Sequence, residues 1–195
     1  AGARDRAEPP QRLRGAAAFG AFVGGGRVST LHGLAPVVDT RTRLLVLGSF
    51  PSVTSLAHGR YYDHPRNHFW PILGALWNLP LTHMTYPDRT QALLDHQLGV
   101  WDVYATCQRQ GSLDADIRNA TPNDLVALLG HCPQLAGIAH NGGESWRHAR
   151  TTRGLGLPAY RLPSSSPANA SWSLDRKVAA WRDVFARHGL VSGGN

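Results

Sequence analysis

Cysteine is nearly absent: Cys107 and Cys132 are the only two in 195 residues. That is too few for a four-thiolate zinc or iron–sulfur site and too sparse for a disulfide framework, so a reducing, cytoplasmic setting is expected. No apolar run approaches the roughly 20 residues that cross a bilayer. Residues 1–26 also lack the continuous apolar stretch of a secretory signal, and no membrane partner is expected. Lysine is reduced to Lys177, and acids are the minority, 13 Asp plus Glu against 20 Lys plus Arg. The resulting formal charge of +7 suits a polyanionic partner. Seven basic and three acidic side chains fall in residues 1–43, so much of the bias belongs to one end.

What is present is the pattern of one α/β domain. Residues 1–33 are rich in Ala, Gly, Arg and Pro without a sustained period, a composition that buries too little apolar surface to repay its ordering entropy. They are expected to form a flexible basic arm ahead of a single domain over 34–195. Leu44-Leu45-Val46-Leu47 reads as a strand buried on both faces. Residues 99–104, 135–140 and 159–162 read as three further strands. Between them, helices are expected over 68–77, 88–98, 125–130 and 144–150. The third is signalled by Thr121, Pro122 and Asp124 at its start, and Ser173 caps a closing helix with Leu174, Val178, Trp181 and Phe185 on one face. Strands alternating with helices imply a three-layer α/β/α sandwich around a four-stranded parallel sheet, which binds ligands beyond the carboxyl ends of its strands.

Three loops are expected at that edge: Gly48-Ser49-Phe50-Pro51-Ser52, His64-Pro65-Arg66-Asn67-His68-Phe69-Trp70, and Pro163-Ser164-Ser165-Ser166-Pro167. Small and hydroxyl-bearing residues let backbone amides approach a phosphate or a base. Taken singly, each loop also reads as an ordinary turn.

Together with Ser55, Tyr61-Tyr62, Trp101-Asp102-Val103-Tyr104, Asn141-Gly142 and the run from Leu162 to Asn169, these motifs resemble the uracil-DNA glycosylase superfamily, in its hypoxanthine-DNA glycosylase branch. The resemblance covers about residues 36–188. It implies a metal-free, cofactor-free monomer that flips a deaminated base, uracil or hypoxanthine, out of DNA and hydrolyses its glycosidic bond, leaving an abasic site. It also implies a cytoplasmic enzyme of bacterial type acting on nucleoid DNA. Asn67 matches the family's catalytic amide, or else caps the following helix. Phe69 matches the aromatic on which the base stacks, or else packs in the core. Gly48, Ser49, Phe50, Tyr61, Asp102 and Asn141 complete the expected pocket. As a carboxylate, Asp102 would accept from the ring N–H that uracil and hypoxanthine share and cytosine and adenine lack; otherwise it caps an element or pairs with an Arg such as Arg109. DNA contacts are expected from Ser52, Arg66, Arg109, Ser166 and Arg176.

Two positions depart from the family pattern. Related enzymes carry a water-positioning Asp or Asn two residues after the first-loop glycine, where this chain has Phe50. Catalysis is then expected to lean on stabilising the departing base, by Asn67 or backbone donors. Ser164 stands where a His or Asn is usual, giving a weaker donor to the base or a clamp on phosphate. The missing loop carboxylate keeps one alternative open, a damage-binding module without turnover. A metal site through His58, His64 and His68 is disfavoured because Pro65 breaks the helix that would align them. Lys177 lies beyond the loop motif, so no lyase step is expected.

Overall fold

A computed structural model describes residues 29–191. In chain order the strands and α-helices are β1 (Thr30–His32), β2 (Leu44–Gly48), α1 (Val53–His58), α2 (Phe69–Trp77), α3 (Tyr86–Asp95), β3 (Leu98–Asp102), β4 (Tyr104–Gln108), β5 (Arg118–Pro122), α4 (Leu125–His131), β6 (Gly137–Asn141), α5 (Gly143–Trp146), α6 (Ala149–Arg153), β7 (Ala159–Leu162) and α7 (Leu174–Arg187). The expected four-stranded parallel sheet is present, in the order β3-β2-β6-β7.

Central position explains composition. Strand β2 is flanked on both sides, so every residue of Leu44–Gly48 is buried and none needs to be polar. Its side chains alternate between two cores. Leu44 and Val46 face a cluster with Phe69, Ile72 and Leu73 of α2 and Trp181 and Phe185 of α7; Leu45 and Leu47 face Leu128 of α4, Cys107 and Phe50. Helix α7 begins where the Ser173 hydroxyl accepts the Arg176 N–H at 3.3 Å, satisfying an otherwise orphaned donor. Burying Trp181 and Phe185 completely then holds the helix to the sheet, at roughly 2–3 kcal/mol for each ring.

Several expected boundaries move. Residues 99–104 do not form one strand: β3 ends at Asp102, and Tyr104 opens β4 in a second sheet of order β1-β4-β5, antiparallel throughout. Thr121 and Pro122 belong to β5, and Asp124 is the true cap of α4, accepting the Ala127 N–H at 2.9 Å. The helix expected over 144–150 is two short helices, α5 and α6. Of the expected arm, residues 1–28 lie outside the described residues. Its last part, Thr30–His32, is a strand paired with Thr106–Gln108, because β4 presents an edge that needs hydrogen-bond partners.

The register of the parallel sheet aligns its strand ends. Gly48 lies opposite Asp102, and Asn141 opposite Leu162, so all four parallel strands end along one edge.

Candidate active site

Those strand ends, Gly48, Asp102, Asn141 and Leu162, all line one cleft of about 740 Å³. The first loop, Asn67, Tyr61, Tyr62, and Ser164, Ser165 and Ser166 line it too, and so does a segment that the sequence did not single out, Ser112–Ala115. The topology therefore gathers most of the expected residues, which in sequence span more than a hundred positions.

Their individual states differ. Asp102 is 4% exposed, its Oδ2 has no hydrogen-bond partner, and its Oδ1 lies so close to the Gly48 α-carbon that a side chain at 48 would collide with it. Gly48 is thus required by close approach. Burial pushes the Asp102 carboxyl up to about 7, the neighbouring Asp114 adds to the rise, and Arg109 opposes it. Near neutral pH the group therefore exists both as acid and as carboxylate, and it can donate as well as accept; the expectation of an acceptor alone is too narrow.

Asn67 lines the cleft with its Oδ1 accepting the Phe69 N–H at 2.9 Å. The N-cap of α2 is His68, so Asn67 stands one residue ahead of the expected cap position; its carbonyl is committed to the backbone, and the amide that remains is a donor. Asn141 is used up internally. Its Nδ2 donates to the Ser165 hydroxyl at 2.9 Å and to the Tyr62 hydroxyl at 3.2 Å, and its Oδ1 accepts the Ser165 N–H at 2.9 Å. Ser165 also accepts the His68 N–H at 2.9 Å through its carbonyl. One buried serine thereby joins β6, the segment before α2 and the loop after β7, a fastening role that the run of three serines did not reveal.

Phe69 does not reach the cleft. It is fully buried, with the Tyr62 ring stacked on its face at 3.9 Å and 16° and the Trp70 and Trp181 rings edge-on. Tyr62, stacked on Phe69, does line the cleft. It holds φ +54°, in the left-handed region, at a cost of about 1 kcal/mol or more for a bulky residue; the Phe69 stack and the Asn141 bond keep it there. Tyr61 is buried, with its hydroxyl donating to the Leu34 carbonyl at 3.1 Å. Phe50 is buried in the second core.

The expected DNA contacts divide. Arg109 is only 5% exposed: it stacks over Phe50 at 5.2 Å and donates through Nη2 to the Pro51 carbonyl, bracing the first loop, while its Nε and Nη1 have no partner. It is a buried brace and cannot be a surface contact. Arg66 and Arg176 are exposed. Arg176 lies over the Trp172 ring at 4.4 Å at the cleft rim, with Arg161 also lining the cleft. Ser52 caps α1, accepting the Ser55 N–H at 3.1 Å. The hydroxyls of Ser164 and Ser166 accept the N–H groups of Ser166 and Ala168 at 3.1 and 3.2 Å, so each shapes its own loop.

Lys177 is buried with its Nζ 3.3 Å from His68 Nδ1, and is not among the cleft-lining residues. Among the described residues no cluster of three or more His, Cys, Asp or Glu is arranged to hold a metal, and no helix is long and apolar enough to cross a membrane.

Comparison with known proteins agrees with this architecture. The family model described as uracil DNA glycosylase superfamily matches residues 35–185. The chain is 34% identical over 156 residues to a protein of Methanosarcina barkeri named hypoxanthine DNA glycosylase, covering 80% of this chain and 98% of that one. It is 36% identical over 157 residues to the Methanosarcina acetivorans protein of the same name, again covering 80% and 98%. A solution NMR structure of a candidate uracil DNA glycosylase from Methanosarcina acetivorans aligns with a TM-score of 0.74 at 34% identity, over 82% of this chain and 98% of that one.

Proposed function

The chain belongs to the uracil DNA glycosylase superfamily, and on that footing we propose that its cleft receives a deaminated base flipped out of DNA and releases it by hydrolysis. Asp102 is the observation that carries this reading. A buried oxygen without a partner at the floor of an open cleft costs free energy until a ligand supplies the missing hydrogen bond. The ring N–H of hypoxanthine or uracil donates it to the carboxylate, and the acid form donates it to a base carbonyl.

The remaining roles follow from which atoms are already committed. Tyr62, whose ring covers Phe69, gives the flipped base a face to stack on. The Asn67 amide donates to the carbonyl of the departing base, where negative charge develops as the C1′–N bond breaks; a fixed donor placed there is worth roughly 10²–10³ in rate. Asn141 and Ser165 hold the wall rigid and do not read the base. The rim residues Arg176 and Arg161, with the exposed Arg66 beside Asn67, meet phosphates. The names of the Methanosarcina relatives support hypoxanthine as the first base to test.

The test is release of free base from otherwise matched oligonucleotides carrying one hypoxanthine, one uracil or no lesion, with alkaline cleavage marking abasic sites. Wild-type protein is expected to release hypoxanthine. Asn67→Ala is expected to slow release about a hundredfold while lesion-DNA affinity stays within about threefold. Tight binding with no release from either lesion would overturn the enzyme reading.

A further inference from the structure

The first loop carries Phe50 where a water-handling polar residue is expected, and that ring is turned into the core. The structure supplies a carboxylate to the same loop from elsewhere in the chain. Asp114, which begins the short 3-10 turn Asp114–Asp116, lines the cleft and accepts a hydrogen bond from the Ser49 hydroxyl at 2.6 Å, across 65 residues of sequence.

Its position is held from three directions. The Val53 N–H donates to the Ser112 hydroxyl at 3.0 Å. The Arg118 guanidinium donates to the carbonyls of Ala115 and Ile117 at 2.6 and 2.8 Å. The Ile117 N–H closes the turn on the Asp114 carbonyl at 3.1 Å. Because Ser49 engages Oδ1, the second carboxylate oxygen is left for another donor. Asp102, buried with an unpartnered oxygen in the same cleft, marks independently that this side of the cleft awaits a ligand.

We propose that Asp114 is the carboxylate that positions and deprotonates the attacking water, taking over the role for which the first loop has no residue. This rests on the glycosylase reading above. In the step, the water oxygen forms a bond to C1′ of the deoxyribose and one water proton passes to the Asp114 carboxylate. The C1′–N bond breaks with its electron pair moving onto the base, which leaves hydrogen-bonded to Asn67 and takes its proton from solvent. No oxidant, metal or further reactant is needed. Desolvation raises the Asp114 pKa, the Ser49 bond and Arg109 oppose the rise, and Glu144 adds to it; a raised pKa makes a carboxylate a better base.

Asp114→Asn separates this role from a purely structural one. The amide oxygen can still accept the Ser49 hydroxyl, so the loop keeps its tie, but the side chain can no longer take a proton. The expected result is a loss of about 30- to 100-fold in single-turnover base release, within the range for general-base catalysis, with lesion-DNA affinity within about threefold of wild type. Release within threefold of wild type, or an affinity loss as large as the rate loss, overturns the proposal. Should thermal unfolding show the Asn variant to be unfolded, Asp114→Ser, which keeps an acceptor for Ser49, is read by the same two criteria. A wild-type protein that releases neither hypoxanthine nor uracil overturns the glycosylase reading and this proposal together; an active wild type with an undiminished variant overturns the role of Asp114 alone.

Discussion

On one wall of the cleft, Asn141 and Ser165 bond to each other twice and to Tyr62 and His68 besides. On the wall that β3 contributes, Asp102 Oδ2 is buried without a partner, and Asp114 adds to the electrostatic cost of an ionised Asp102. Buried polar groups are normally satisfied, and those that are not need a physical reason. The satisfied wall gains rigidity from its network and has nothing left to offer a ligand. The unsatisfied wall gives up stability for groups that a ligand can complete. Mutations on the two walls should therefore differ in the sign of their effect on stability.

The sharpest break of that contrast is Asp102→Asn. The Asp102 carboxyl titrates near 7 in the fold against an ordinary value of 3.8. Between those limits the folded chain binds more proton than the unfolded one, so this group's contribution is fullest below 3.8 and is lost as pH rises through 7. The neutral variant should consequently gain about 4 kcal/mol over wild type at pH 8 and almost nothing near pH 3.5, while base release falls about 30-fold through loss of the base-reading group. Thermal unfolding at the two pH values measures the first effect; an equal gain at both would refute the pH argument.

Asn141→Ala should act in the opposite sense. Losing three bonds and orphaning the Ser165 N–H costs about 3 kcal/mol, visible as a lower unfolding midpoint at pH 8 and pH 5 alike, and base release measured well below that midpoint should fall less than for Asp102→Asn. A stabilised Asn141→Ala would erase the distinction between the walls. The smallest effect belongs to the rim. Arg176→Ala should weaken DNA binding about threefold, equally for lesion and control duplexes, and reduce the salt slope of log affinity by about 1.

The same contrast explains which features are legible in the sequence. The parallel sheet is legible because Leu44–Leu47 and the later apolar runs are buried by neighbours on both sides, and burial leaves a composition. The antiparallel sheet is not: Arg118–Pro122 is mostly exposed and contains a proline, so nothing in its composition marks a strand. The three loops are legible as a group because strand ends converge. Asp114 is invisible because its segment looks like surface turn, and only the fold brings it to Ser49. Arg109 misleads for the converse reason: an arginine in a polar loop reads as surface until the Phe50 ring and the Pro51 carbonyl are found around its guanidinium. Phe69 carries two readings, and burial beneath Tyr62 decides for the core.

The contact between Gly48 and Asp102 has a consequence for how this protein can change. Any residue at 48 larger than glycine requires the carboxylate opposite it to retract or be replaced, and a shorter residue at 102 would free space that glycine cannot fill. Positions 48 and 102 are therefore coupled: libraries that vary position 48 alone will recover almost only glycine, whereas varying both at once opens routes to pockets of different depth and different base preference.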